Sequence, residues 1–400
     1  MRNMKYRVNS NLINLLLILI SILIAISLCE IFLRLAKIEY PIFQKHDYIV
    51  GFSLRPNASG NWNKEGNSFV KINSDGLRDI EHNIKKNKNT LRIALLGDSF
   101  AEARSVNLEN TFWYLMQKKL KNCENINKNI EVINFGVTEY GTGQQFLILK
   151  NKVWKYDPDL ILLAFYSGND IHDNSKKFSR KKYRPFFSLK DNQLVLDNSF
   201  RETKPYLILS SFYGKFFLKL SDYSRIAQLF REIYVKNYVK EQQQIKENKK
   251  KENEQLKNDL YTHGAFNPKS EEWVNAWNVT EKIIIEINKE VTKKNKKFIL
   301  ATISTPFQAH PEKTYRDKFQ KKHFIKDIFY PEKRLVKLGK ANNFEVISLA
   351  EDVQKYAIKS KKFFYGFKNT ILSDGHMNED GHYISSGLLS NAIYKIYNLK

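Results

Sequence analysis

The sequence predicts an α/β protein organised around a central parallel sheet, and three observations predict it. Five short apolar runs, Ile93–Leu96, IEVINF (130–135), DLILLAF (159–165), KFILATIS (297–304) and FEVISL (344–349), are continuous rather than alternating, as in strands covered on both faces. Helix-like stretches near 109–121, 143–155, 271–293, 331–341 and 379–397 are interleaved with them. The chain has 400 residues with 42% hydrophobic content, enough for one sizeable core with extra elements.

Before the first run lie two other regions. Leu12 to Cys29 is an uncharged apolar stretch of the length that spans a bilayer, where roughly 17–25 residues are needed. Arg2, Lys5 and Arg7 precede it, which places the N-terminus in the cytoplasm and the body outside. Leu28-Cys29-Glu30-Ile31 offers no A-x-A cleavage pattern, and Leu28 is too large for a lipoprotein signal. Residues 1–36 are therefore expected to be a cytoplasmic tail and an uncleaved single-pass anchor. The lead-in, 37–90, is rich in turn text such as Asn73-Ser74-Asp75-Gly76 and reads as short strands and turns.

The sheet-forming part occupies 91–400, interrupted by a helical insertion at about 171–270. Within it, Ile226, Leu229, Phe230, Ile233 and Tyr234 share one helical face. The stretch KEQQQIKENKKKENEQLKND (240–259) is charged nearly all round and reads as a solvated helix or mobile lid.

Charge and cysteine content narrow the function classes. The net charge of +24 accompanies Lys, Asn and Ile abundance throughout, a compositional bias, with an anionic envelope surface as the second reading. No nucleic-acid-binding module is present, so no nucleic-acid partner is expected. Cys29 and Cys123 are the only cysteines, which excludes a disulfide framework and a cysteine zinc site. There is no H-E-x-x-H, no G-x-x-x-x-G-K-[ST] and no strand-linked G-x-G-x-x-G, so neither metal nor nucleotide cofactor is implied. His46, His82, His263, His310 and His323 have no partners at metal-ligand spacing; His172 reads as loop surface and His382 as a packing or capping residue of the last helix. Trp273 and Trp277, at helical spacing, read as core.

What gathers at the strand ends is chemically specific. The first run ends in Gly97-Asp98-Ser99, the second in a loop with Gly136, the third in Gly168-Asn169-Asp170, and the last loop carries Asp374 and His376. In parallel sheets, sites form at the carboxyl ends of strands. Each block alone has a bland explanation: a tight turn at Gly97, a helix cap at Asp98, an Asx turn at Asn169. Together they supply what acyl transfer needs. A serine hydroxyl requires a base, an imidazole can take and return the proton, and a carboxylate can orient it. Backbone N–H groups and an amide can cradle an oxyanion.

In these four blocks the chain resembles the SGNH (GDSL-type) hydrolase superfamily. The resemblance implies a flavodoxin-like three-layer sandwich, with Ser99 as nucleophile, His376 as base, Asp374 as its acid, and Ser99, Gly136 and Asn169 as the oxyanion hole. A single residue separates Asp374 from His376, where many members have two; that spacing is similar to envelope polysaccharide acetyltransferase-type relatives. The implied function is a membrane-anchored serine ester hydrolase acting on an O-acyl ester, of acetyl type, on an envelope glycan. Two alternatives stay open: O-acetyl transfer to an extracytoplasmic polysaccharide, and a non-catalytic scaffold or glycan-binding protein on the same fold.

Overall fold

The computed structural model describes residues 10–123, 128–179, 181–234, 236–237 and 262–397; the charged stretch 240–259 lies outside the described residues. Helix α1 (Ser10–Leu35) leads, its side chains exposed almost throughout. Two antiparallel hairpins follow, β1 (Gln44–Asp47) with β2 (Gly51–Leu54) and β3 (Ser59–Trp62) with β4 (Ser68–Lys71). The Asn73–Gly76 turn forms as expected. Gly76 sits at φ +70°, and Asn73 Oδ1 accepts from the N–H groups of Asp75 and Leu77.

The main sheet contains β5 (Thr90–Leu96), β6 (Asn129–Asn134), β7 (Leu160–Tyr166), β10 (Lys297–Ile303) and β11 (Glu345–Ser348). Strands β8 (Phe186–Lys190) and β9 (Gln193–Asp197) form a separate hairpin in the insertion. All pairings in the main sheet are parallel, in the order β11-β10-β7-β5-β6. Counted by appearance this is 2-1-3-4-5, the flavodoxin-like order, and the direction of winding reverses between β5 and β7.

The five apolar runs became these five strands because each has nonpolar side chains on both faces. Ile161, Leu163 and Phe165 of β7 enter one core with α8 (Glu271–Lys293), α4 (Thr142–Asn151) and α10 (Tyr330–Ala341). Leu160, Leu162 and Ala164 enter the other with α3 (Phe112–Lys121), α11 (Ala350–Ser360) and α12 (Glu379–Tyr397). The result is three layers. Trp273 and Trp277 are buried in the first core. A third, smaller cluster packs Phe43, Phe52, Val70 and Ile72 of the lead-in against Val137 and Tyr140 after β6. The hairpins are thereby fastened over the carboxyl end of the sheet.

Candidate active site

Ser99 opens a four-residue helix, α2 (Ser99–Glu102), directly after β5. The turn is tight enough to require Gly97, where a Cβ would lie 2.7 Å from Ala101 Cβ. Asp98 is the helix cap, its Oδ1 accepting from Phe100 N–H at 2.9 Å. Its Oδ2 accepts from Asn169 Nδ2, also at 2.9 Å. One buried carboxylate thus ties the loop after β5 to the loop after β7, across the switch point. Burial pushes the Asp98 carboxyl up to about 6, against its hydrogen bonds to Phe100 and Asn169. Asp170, also buried, is raised by burial and then by the neighbouring Asp98 charge. The other end of α2 is held by Arg78. Its buried guanidinium donates to the carbonyls of Glu102, Ala103 and Val106, satisfying acceptors a helix end leaves open.

His376 comes from the loop before α12. Its Nε2 lies 2.9 Å from Ser99 Oγ, within hydrogen-bond reach. The Phe100 ring sits against the imidazole, with centroids 5.0 Å apart. The nucleophile and base blocks, 277 positions apart in sequence, therefore converge.

Asp374 is expected as the partner of the His376 ring, but its carboxylate is bonded elsewhere. Asp374 is exposed, and its Oδ1 accepts from the N–H of Gly375 at 2.8 Å. The place behind the imidazole is taken by Glu65, from the turn between β3 and β4. Its Oε2 bonds His376 Nδ1, and its Oε1 accepts from His376 N–H at 2.6 Å. Gly375 explains the geometry. It adopts φ +73°, and a Cβ there would sit 2.1 Å from Glu65 Oε1. With one residue between them, Asp374 turns its carboxylate to the N–H of Gly375 while Glu65 takes the ring's Nδ1. Asn369 locks the docking, its Oδ1 accepting from Gly66 N–H and its Nδ2 donating to the carbonyls of Asn63 and Gly66. Burial disfavours the charged imidazole, but the bonds and charge of Glu65 outweigh it and raise the His376 pKa above its usual value. Glu65 responds in the opposite sense: burial alone would raise it, yet its contacts with His376 hold it below the usual carboxylate range.

The oxyanion residues divide. Asn169 is where the sequence places it; its amide nitrogen carries two hydrogens and Asp98 takes one. The N–H of Ser99 stands at the first helical position, where no carbonyl of its own helix reaches it. Gly136 differs from expectation, because its N–H is donated to Asn134 Oδ1 at 2.9 Å. Its missing side chain matters for packing instead, since a Cβ would lie 2.4 Å from Ala101 Cβ in the nucleophile helix. Asn134, unmarked in the sequence, is the organiser here, its Nδ2 donating to Ala101 O at 3.0 Å.

Two histidines outside the site resolve differently. His382 accepts from Phe112 N–H at 3.1 Å, stacks on that ring and is pushed down to about 3 by burial, the packing and capping role expected. His172 is buried against Phe178, with Nδ1 3.2 Å from Asp173 Oδ1, and is not the surface residue expected. Among the described residues no cluster of three or more His, Cys, Asp or Glu is arranged to hold a metal ion.

Comparisons with known proteins give structural likeness only. No family model matches the chain, and no curated protein matches it. Among solved structures, an acetyl xylan esterase is similar at 15% identity and TM-score 0.40, over 76% of this chain and 99% of that one. A GDSL-like lipase from Bacteroides thetaiotaomicron is similar at 11% identity and TM-score 0.33, over 76% and 89%. A lipase/acylhydrolase from Enterococcus faecalis is similar at 12% identity and TM-score 0.35, over 76% and 95%. At such identities and scores the likeness bears on neither substrate nor activity.

Proposed function

We propose that the chain is a serine ester hydrolase of SGNH type, anchored in a membrane by α1, that cleaves O-acyl esters. The observation that carries this reading is the 2.9 Å contact between Ser99 Oγ and His376 Nε2, backed by Glu65 on the far side of the ring. Ser99 attacks the ester carbonyl as His376 takes its proton. Glu65 holds the Nδ1–H and stabilises the imidazolium. The oxyanion is received by the Ser99 N–H and the second hydrogen of Asn169 Nδ2. His376 returns the proton to the departing alcohol, and water then repeats the sequence on the acyl-enzyme. The carboxylate on the ring supports a working site over a disabled one.

The anchor reading is supported by a 26-residue helix whose most apolar 18-residue stretch has nothing buried in the protein. Together with Arg2, Lys5 and Arg7 before it, this favours a cytoplasmic N-terminus and an extracytoplasmic catalytic domain. An acetyl ester of an envelope glycan is the substrate class that suits such placement.

The test is hydrolysis of p-nitrophenyl acetate by the full chain in detergent. Wild type is expected to turn over, and Ser99→Ala to lose about a thousandfold or more in kcat. A Ser99→Ala protein as active as wild type overturns the reading.

A further inference from the structure

We propose that the apolar face formed by helix α7 (Phe212–Tyr223) and the helical segment 225–234 seats on the lipid bilayer beside α1, giving the catalytic domain a second, interfacial contact with the membrane. The proposal rests on α1 being the membrane anchor.

The segment 225–234 is amphipathic in the inverted sense. The sequence places Ile226, Leu229, Phe230, Ile233 and Tyr234 on one face, and a water-soluble fold would turn that face inward. Here Phe230 is 67% and Tyr234 71% exposed and Ile233 is exposed, with Ile226 and Leu229 half-buried, while Gln228 and Glu232 are buried. The buried pair is well used. Gln228 accepts from Tyr40 N–H at 2.9 Å and donates to Ser221 O at 2.7 Å; Glu232 pairs with Lys64 at 2.7 Å. Helix α7 repeats the pattern. Phe212, Tyr213, Phe216, Leu220 and Tyr223 recur at spacings that share a helical face, all are exposed, and Lys215 and Lys219 are exposed among them. A contiguous exposed apolar face of this kind marks a contact surface.

Position identifies the occupant. Glu30 is the first charge after the apolar run of α1. It accepts from the N–H groups of Arg225 and Ile226 at 2.9 and 3.2 Å and from Ser224 Oγ at 3.1 Å. Arg34 Nη2 donates to Tyr223 O at 2.6 Å. The junction between the two apolar helices is thus fastened to the end of the span. Leu12 to Cys29 covers about 27 Å at 1.5 Å per residue, close to the ~30 Å of a hydrocarbon core, so Glu30 emerges at the head-group boundary. The junction lies at that depth. Phe and Tyr flanked by Lys is the composition of helices that lie in a lipid interface, and the chain's net charge of +24 complements anionic head groups.

The contact also reaches the site. Besides Lys64–Glu232, Arg225 pairs with Glu39 at 2.5 Å and Arg55 pairs with Asp222. Lys64 adjoins Glu65, so the turn that supplies the acid is braced from the membrane-facing helices.

The test uses the full chain with Cys29→Ser and Cys123→Ser and one added cysteine carrying a nitrobenzoxadiazole label: Tyr213→Cys, Phe230→Cys, Leu23→Cys in the anchor, or Ile358→Cys on α11 as control. Each is reconstituted in phosphatidylcholine–phosphatidylglycerol vesicles with lipid-borne spin labels, after circular dichroism and p-nitrophenyl acetate turnover have verified folding. Shallow spin labels are expected to quench positions 213 and 230 at least about twofold more than 358, and mid-chain spin labels to quench 23. Quenching at 23 with 213 and 230 no different from 358 overturns the docking and leaves the anchor standing. Energy transfer between labelled copies at 213, in place of lipid quenching, overturns it in favour of a second copy of this chain. A label at 23 that no lipid quencher reaches overturns the anchor, and the docking with it.

Discussion

Glu65 and His376, 311 positions apart, meet through two bonds: the carboxylate receives the backbone N–H of His376 and also engages its ring Nδ1. Such a two-point grip fixes both the tautomer and the rotation of the imidazole. Glu65→Gln is expected to keep the fold and lower kcat by about 10²–10⁴, because an amide cannot stabilise the imidazolium. Asp374→Asn, altering an exposed side chain that caps its own turn, is expected to stay within about twofold of wild type. Steady-state kinetics on a chromogenic acetate separates the two acids; the reverse ranking would return the role to Asp374.

The pH profile follows from the same pair. His376 must be unprotonated to accept the Ser99 proton, and Glu65 raises its pKa above the usual 6.5. The rising limb of kcat/KM is therefore expected above that value. In Glu65→Gln the raising partner is gone and burial prevails, so the limb shifts to lower pH while the plateau falls. A limb that stays in place would separate the titrating group from the Glu65–His376 pair.

Asn169→Ala removes both an oxyanion donor and the bond to Asp98. A loss of about 2.7–4 kcal/mol in transition-state stabilisation is expected, read as roughly 10²–10³ in kcat with KM little changed. Equal kcat would place the oxyanion elsewhere.

Stability should depend on pH through a group remote from the chemistry. His82 lies between Asp79 at 3.1 Å and Glu131 at 2.8 Å. Burial opposes the charged ring, but the bonds to Asp79 and Glu131 outweigh it and push its pKa up to about 9. A raised pKa stabilises the fold fully below the unfolded value near 6.5 and progressively less as pH rises through about 9. Denaturant midpoints are expected to fall across that window in wild type. His82→Leu is expected to lose the dependence, and about 3–5 kcal/mol at neutral pH.

The sheet was legible because its evidence is local. Each buried strand is a continuous apolar run, and the helices at 271–293 and 379–397 match their observed ranges. The convergence of Ser99 with His376, and of Asn169 with the loop after β5, was legible because these residues stand at strand ends or in the loop before the last helix. Glu65 was not, because "NKEGN" is ordinary turn text and nothing in it records that Asn369 will clasp the turn against the last loop. Asp374 was expected behind the ring because it stands two residues before His376, but that place is taken by Glu65, against which Gly375 packs without a side chain. Gly136 was read as a donor although Asn134, two residues earlier, claims its N–H. For 225–234 the periodicity revealed the apolar face but not its direction, which depends on buried partners for Gln228 and Glu232.

The order in which the parts leave the ribosome follows from where they sit. The Glu65 carboxylate emerges first, the Ser99 hydroxyl soon after, and the His376 imidazole only 277 positions later. A nascent chain therefore carries the Ser99 hydroxyl without its imidazole partner while every later strand of the main sheet is made. The hydroxyl–imidazole contact can form only once the loop before α12 closes onto the end of β5 and the turn between β3 and β4.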